Sequence, residues 1–101
     1  MDNWGVTMDK KINLYNTDGT KKFETLVTST VSSQSAAVSA SRILLVSATD
    51  HYVEFGDNPT ADATGFVIPA NAPMQFHFVP GQKVAARTHN GNGHISIVDI
   101  D

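Results

Sequence analysis

Cysteine is absent from this chain of 101 residues, so neither disulfide bonds nor a thiolate metal site can stabilise its fold. Charged residues are scarce as well, at 17% of the sequence, against roughly 25% in an average soluble domain. The seven lysine and arginine residues are dispersed and the formal net charge is −3, whereas nucleic-acid binding depends on a concentrated basic face. The low charge content indicates that a partner covers part of the surface, and the lack of a basic face argues against nucleic acid as that partner.

Long apolar runs are missing too. The longest one, residues 43–46 (Ile-Leu-Leu-Val), is far shorter than the ~20 residues that span a bilayer. Residues 1–5 lack the basic and apolar regions of a secretory signal. We therefore expect a protein that is made and folded in the cytosol, or released from it without the usual secretion route, with no membrane partner. The length predicts one domain over residues 1–101, preceded by a short N-terminal arm at about residues 1–6.

Apolar and polar residues alternate over most of the chain with the period of two that is typical of β-strands. About eight short strand-like segments are separated by turn signals, and no stretch has a convincing helical pattern. Alanine content would allow a helix over residues 34–41, but a strand of small residues is favoured. The pattern predicts an all-β fold: a single antiparallel β-sandwich or jelly-roll-like domain of about eight short strands.

The sequence gives specific predictions for several strands and one turn. Residues 43–48 are apolar on both faces, which predicts a central strand. A turn with glycine at positive φ is expected at Pro80-Gly81. Inward-facing side chains are predicted on three further strands, at Val53 and Phe55, at Met74, Phe76 and Phe78, and at Val84, Ala86 and Thr88.

Two hairpins are also predicted. The first pairs residues 6–14 with residues 23–31 around a turn at 16–19, and its second strand has Phe23, Val27 and Val31 on the apolar face. The second is the Asn-Gly-Asn-Gly sequence at residues 90–93, a strong hairpin signal that would place His89 opposite His94.

The histidines are the first candidates for chemistry. Facing strand residues have Cβ atoms ~4.5–5.5 Å apart, so His89 and His94 could share a metal if His77 or His51 supplied a third ligand. A cupin-like metalloenzyme would use His77, His89 and His94. No tight ligand spacing supports this, however, and outward-facing polar side chains explain the histidines better. The sequence predicts no metal and no cofactor.

Catalytic arrangements are not found among the other residues. Glu54 and Asp57 could be offered as a carboxylate pair, but turn formation explains Asp57 better. The serines lack the Gly-x-Ser-x-Gly elbow of hydrolases, and the glycines of residues 91–93 do not open a phosphate-binding helix. We therefore predict no catalytic residue and a protein that is not an enzyme.

Aromatic and turn residues are the candidates for a partner interface. The core is expected to contain the phenylalanines at inward positions, Phe55, Phe66, Phe76 and Phe78. Trp4 has no local apolar partner, and it either folds back onto its own domain or anchors in a neighbouring molecule. Tyr52 faces outward and precedes a polar loop that extends through Gly65. The predicted interface residues are Trp4, Tyr52, Asp57, Asn58 and Thr60.

The order of features over residues 53–85 is distinctive. A strand ends in Phe-Gly, then Asn-Pro-Thr-Ala follows at 58–61, Phe-Val-Ile-Pro-Ala at 66–70, Pro-Met-Gln-Phe-His-Phe at 73–78, and Pro-Gly-Gln-Lys-Val-Ala at 80–85. This order resembles that of a group of small proteins encoded by tailed bacteriophages, and the similarity covers about residues 34–100. The residues that match are scaffold positions: Gly56 and Pro59 for a bend, Pro69 and Pro73 for a crossing, Pro80 and Gly81 for a turn.

The resemblance implies a virion structural protein, assembled in the host cytoplasm. It implies either a capsid decoration (cement) protein that binds the major capsid protein or another virion protein, or a small tail or head–tail component. A homo-oligomer, trimer or dimer, is the usual form of such assemblies. An alternative from the residues themselves is a carbohydrate-binding module for host adsorption, for which Tyr52, Asn58, His77 and Asn90 are the candidates.

Overall fold

The computed structural model describes residues 13–100, which form two four-stranded antiparallel sheets and no helix. No segment of this part of the chain could therefore cross a membrane as a helix. The strands are β1 (Phe23–Thr28), β2 (Ser33–Gln34), β3 (Arg42–Ser47), β4 (His51–Gly56), β5 (Phe66–Ile68), β6 (Met74–His77), β7 (Lys83–Thr88) and β8 (Gly93–Asp99).

The strand order is β1-β8-β3-β6 in one sheet, called here the 1-8-3-6 sheet, and β2-β7-β4-β5 in the other, called the 2-7-4-5 sheet. Apart from β4 and β5, consecutive strands lie in different sheets, so the chain crosses the sandwich repeatedly. This is the strand order of a jelly roll. The predicted all-β sandwich of about eight short strands is confirmed.

The core lies between the two sheets and is built from alternate residues of the central strands. Ile43 and Leu45 of β3 are completely buried, as are Val84 and Ala86 of β7. Each large aliphatic side chain buried in this way stabilises the fold by roughly 1.5–3 kcal/mol. The expected inward faces of β4, β6 and β7 are confirmed, as is the central position of β3 in its sheet. The other core members are Val38, Ala40, Val53, Ile68, Phe78, Ile95 and Ile97, and Leu26, Phe55, Met74 and Phe76 pack against them.

Strand β1 faces the opposite way from the prediction. Thr28 is 3% exposed and Leu26 packs against the core, whereas Val27 is 67% exposed. Val31, also expected on the apolar face, is 71% exposed and lies beyond the end of the strand. The alternation could not reveal one feature of the buried Thr28: its hydroxyl forms a hydrogen bond with a buried histidine, described below.

The connection at residues 90–93 is not a hairpin. Strand β7 pairs with β2 and β4, and β8 pairs with β1 and β3, so the Asn-Gly-Asn-Gly sequence turns a corner between the two sheets. His89 and His94 therefore do not face each other across a strand pair. The glycine at position 91 has φ +76°, which a turn of either kind can use.

The serine- and alanine-rich segment between β2 and β3 is neither helix nor strand. Its Val38 is nonetheless buried and is held by two backbone hydrogen bonds, from Val38 N to Gln82 O and from Gly81 N to Val38 O. Gly81 has φ +95°, as expected for the Pro-Gly turn. At the start of the described chain, Tyr15 and Lys21 form a bridge around the predicted turn, while the rest of the first predicted hairpin strand, before residue 13, lies outside the described residues.

Candidate functional site

The loop at residues 57–65 folds back toward the edge of the 2-7-4-5 sheet. The Gln34 amide of β2 donates one hydrogen bond to Asn58 Oδ1 (2.8 Å) and one to the Pro59 carbonyl (2.7 Å). The Ala61 N–H donates to Ser32 Oγ at 2.9 Å, and both Pro59 and Ala61 are buried. The predicted interface residues Asp57, Asn58 and Thr60 are exposed on this anchored loop.

Tyr52 lies on the same sheet but near the other end of β4. Its hydroxyl is 2.8 Å from His89 Nδ1, and the Arg87 guanidinium carbon is 5.5 Å from the centre of its ring. Because a strand rises about 3.4 Å per residue, Tyr52 and Asp57 are roughly 17 Å apart along the chain. The structure thus separates Tyr52 from the loop residues, and Trp4 lies outside the described residues.

The four carbohydrate-site candidates are not brought together. Tyr52 is on β4 of one sheet and His77 is on β6 of the other. Asn58 is on the anchored loop, and Asn90 is in the corner after β7. One side of the Tyr52 ring is occupied by Arg87, and its hydroxyl already bonds His89. The stacking platform that would suit a sugar is therefore partly occupied by the protein itself.

An aromatic cluster opens between the two sheets at their β5 and β6 edges. Phe76 of β6 contacts Phe55 and Phe66 edge-on, with ring centroids 5.4 and 5.7 Å apart. Phe66 is 53% exposed, and a small cavity of about 100 Å³ lies beside it, lined by Val53, Glu54, Phe55, Phe66 and Phe76. Phe66 was expected in the core, and its exposure follows from its place on a three-residue edge strand.

The outer face of the 1-8-3-6 sheet is rich in apolar side chains. Phe23, Val98 and Leu44 are register neighbours across β1, β8 and β3, although Val98 is only 6% exposed. Val46 and the exposed Val27 lie on the same face and are separated from them by Thr25, His94 and Ser96. We call the five apolar residues the outer apolar face. The Tyr15 ring meets the Phe23 ring edge-on at 6.0 Å, and Lys21 Nζ is 5.4 Å from the Phe23 ring centre, so both extend this face beyond β1.

A buried polar cluster joins the two sheets around His51 of β4. The imidazole is fully buried, with Thr28 Oγ1 of β1 at 2.7 Å from Nε2 and Ser47 Oγ of β3 at 2.8 Å from Nδ1. The Thr49 carbonyl lies 2.9 Å from Nδ1. Since a carbonyl can only accept, Nδ1 carries the proton and Nε2 accepts from the Thr28 hydroxyl.

The electrostatics of this cluster favour a neutral imidazole. Burial lowers the pKa of His51 below its ordinary value, and the Thr49 carbonyl and the Asp50 carboxylate offset this only in part. One neighbouring polar atom, Thr49 Oγ1, is buried without a hydrogen-bond partner. A neutral, fully bonded histidine of this kind ties two sheets together and has no free nitrogen with which to bind a ligand.

The Ser47–His51 pair is not an activated nucleophile. The Ser47 hydroxyl donates to the Thr49 carbonyl, and its oxygen accepts from the protonated Nδ1 and from the Thr49 N–H at 3.0 Å. A histidine that already carries its proton on this nitrogen cannot remove another from serine. Ser47 is also only 6% exposed, so a substrate would not reach it.

The histidines do not form a metal centre among residues 13–100. No group of three or more histidine, cysteine, aspartate or glutamate side chains in this part of the chain could hold an ion. His51 is enclosed in the core, His89 bonds Tyr52, and His77 and His94 are exposed on different strands.

Sequence reasoning missed the role of His51, although a signal was present. His51 has the same strand parity as Val53 and Phe55, which were assigned inward, so alternation alone would have placed it in the core. Its partners could not have been identified in this way, because Thr28 and Ser47 come from two other strands.

No protein-family model, no curated protein and no solved structure matches this chain.

Proposed function

We propose that the chain is a non-enzymatic structural protein of a tailed-bacteriophage particle, a decoration (cement) protein that binds the capsid shell and stabilises it. The resemblance over residues 34–100 supports this, and that range contains the six strands from β3 to β8 and the last residue of β2. Jelly rolls occur repeatedly in viral capsid domains, so the fold is compatible with the proposal.

The observation that carries the proposal is the outer apolar face. Apolar side chains on the outside of a sheet are expected where another protein covers them. Val27 is 67% exposed on this face and Phe23, Leu44 and Val46 are partly exposed, with the uncharged Thr25 and Ser96 between them. Apolar side chains mixed with uncharged polar ones are compatible with a protein interface. We propose the outer apolar face as the surface that meets the shell or a neighbouring subunit.

The interior is consistent with a structural role. The buried His51 side chain hydrogen-bonds Thr28 and Ser47, so the polar groups of these side chains join the two sheets. The protein would act by adding many modest interfaces to a large shell, each of which favours the assembled state by mass action.

Mass spectrometry of purified particles tests the proposal directly. We expect the chain in the virion at a copy number comparable to that of the major capsid protein, and its absence from the particle would overturn the proposal. Separating heads from tails then distinguishes the positions. Recovery with heads supports a decoration protein, whereas recovery only with tails would replace it with a tail or head–tail component.

A further inference from the structure

The corner between β7 and β8 contains two asparagine–glycine steps in immediate succession, Asn90-Gly91 and Asn92-Gly93. They are the only asparagines in the chain that precede glycine. This matters because the amide carbon of an asparagine side chain can be attacked by the backbone nitrogen of the next residue. Glycine has no Cβ to obstruct the approach, and asparagine is among the chemically labile residues of proteins.

The first step is free to react. Asn90 and Gly91 are both exposed, and a Cβ placed on Gly91 would have no atom within 4 Å. Within residues 13–100, no hydrogen bond engages the Asn90 side-chain amide or the Gly91 N–H, while the Gly91 carbonyl is held by the Thr88 hydroxyl at 2.6 Å. The attacking nitrogen and the amide that it must reach are therefore both unengaged.

The second step is restrained by the fold. Gly93 is the first residue of β8 and pairs with Thr28 of β1. A Cβ placed on Gly93 would lie 2.6 Å from Thr49 Oγ1 and 3.3 Å from Thr88 Cγ2, which measures how closely its backbone is packed. Rotating this backbone into an attacking position requires the corner and the start of β8 to open, and local opening has a free-energy cost.

We propose that Asn90 is a site of spontaneous deamidation in the folded protein and that Asn92 is protected from it. The Gly91 nitrogen bonds to Asn90 Cγ, the bond from Cγ to the side-chain nitrogen breaks, and ammonia leaves with the displaced proton. Water then opens the resulting five-membered succinimide at either carbonyl and yields aspartate or isoaspartate. The sum is asparagine plus water giving the acid plus ammonia.

The product alters the corner that connects the two sheets. Either acid places a new negative charge next to His89, and isoaspartate also lengthens the main chain by one carbon where Thr88 holds the Gly91 carbonyl. A long-lived protein would thus accumulate a charged form of this corner with time. The inference does not depend on the proposed function.

The experiment incubates the folded chain under mildly alkaline conditions and maps the tryptic fragment after Arg87, which contains both steps. Fragment ions distinguish the two asparagines, and incubation in heavy-oxygen water labels each new carboxylate. We expect conversion at Asn90 to exceed that at Asn92 by about tenfold or more, equivalent to about 1.4 kcal/mol in activation free energy.

The same chain in guanidinium chloride is the control for the role of the fold, because both steps should then convert at similar rates. Asn90→Gln should remove the conversion in the folded protein, and the matched variant Asn92→Gln should leave it unchanged. Equal conversion of both asparagines in the folded chain, or conversion of Asn90 only in guanidinium chloride, would overturn the proposal.

Discussion

At the scale of single residues, His51 makes folding stability depend on pH. The pKa of His51 is lowered in the folded state by burial, while in the unfolded chain it returns to its ordinary value of about 6.5. As pH falls below that value the unfolded chain takes up a proton that the folded chain does not, so the free energy of unfolding decreases. The slope from this one group is at most about 1.4 kcal/mol per pH unit, and it ends once pH passes below the folded pKa.

Urea denaturation across the mildly acidic range measures this effect. His51→Gln retains hydrogen-bonding groups but cannot titrate, so it should be less stable than the parent at neutral pH and should lack this part of the acid dependence. His94→Gln is the matched control, since His94 is exposed and its replacement should leave the slope intact. A parent protein with no loss of stability on acidification would contradict the assignment.

Asp99 should have the opposite pH behaviour. It lies opposite Ile43 on β8, and burial raises the pKa of its carboxyl, with Lys22 opposing the shift. Its ionised form is therefore unfavourable in the folded protein, and stability is lost as pH rises from about 3.8 through the raised pKa. We expect Asp99→Asn to raise the denaturation midpoint at neutral pH and to have no such effect in strong acid.

A charge-matched control separates this local effect from a change in net charge. Asp57→Asn removes the same charge from an exposed loop position and should leave the midpoint nearly unchanged. Equal stabilisation by both variants would mean that net charge, and not the burial of Asp99, is responsible.

Gly93 is required by packing and not by backbone conformation. Alanine at this position would place its Cβ 2.6 Å from Thr49 Oγ1, and overpacking of this kind costs about 1–3 kcal/mol. Removing the opposing hydroxyl in the double variant Gly93→Ala with Thr49→Ala should recover part of that loss. Chemical denaturation of the two single variants and the double variant gives the coupling energy, and strict additivity would contradict a direct clash.

At the scale of elements, the 57–65 loop is an ordered extension of the 2-7-4-5 sheet. Gln34→Ala removes both of the hydrogen bonds from β2 to this loop, each worth roughly 0.5–1.5 kcal/mol. We expect faster amide hydrogen exchange and faster proteolysis within residues 57–65, with a smaller change in global stability. Gln75→Ala on the exposed side of β6 should affect neither, and equal effects of both variants would show that the loop is held by other contacts.

The alternation of apolar and polar residues predicted which face of a strand points into the core only where the apolar residues lie on one face. In β6 the inward positions Met74 and Phe76 are apolar and the outward ones are polar, so alternation gives the direction. Strand β3 is apolar on both faces and its inward positions include Ser47, so alternation gives only its central place in the sheet. In β1, Val27 and Leu26 are apolar residues on opposite faces, and the inward face is the one with Leu26 and Thr28. The Thr28 hydroxyl bonds His51, which lies on a distant strand. Local pattern carries no information about that partner, and the outward side of β1 was consequently assigned to the core.

Turn chemistry has the same limitation at the corner after β7. Asn-Gly steps supply positive φ for a tight turn, but they do not specify whether the next strand returns to the same sheet. Here β8 joins the other sheet, where its backbone pairs with both β1 and β3 and its inward residues Ile95 and Ile97 are buried in the core. The interface residues proposed from sequence were separated for a related reason, since Tyr52 and Asp57 lie toward opposite ends of one strand.

At the scale of the whole molecule, the jelly roll joins distant parts of the chain in one cooperative unit. Strand β1 pairs with β8 along its full length, so the first and last strands of the described chain stabilise each other. The His51 cluster adds a polar link between the sheets at one end, and the phenylalanine cluster adds an apolar one near the β5 and β6 edges. The outer faces of the two sheets are the remaining surfaces to which a partner could bind, and substitutions can test them separately.

A matched pair of substitutions tests the proposed contact between the outer apolar face and a capsid shell. Val27 on the 1-8-3-6 sheet and Val67 on the 2-7-4-5 sheet are 67% and 45% exposed, so lysine at either site should leave folding nearly unaffected. If the outer apolar face is the contact, Val27→Lys buries a charge at the interface. We expect it to lower occupancy on shells about tenfold, which corresponds to about 1.4 kcal/mol. Val67→Lys should bind like the parent.

Quantitative mass spectrometry of shells after incubation with each variant gives the occupancies. A greater loss with Val67→Lys would assign the contact to the other sheet, and parent-like binding by both variants would exclude the exposed valines of either sheet as contacts.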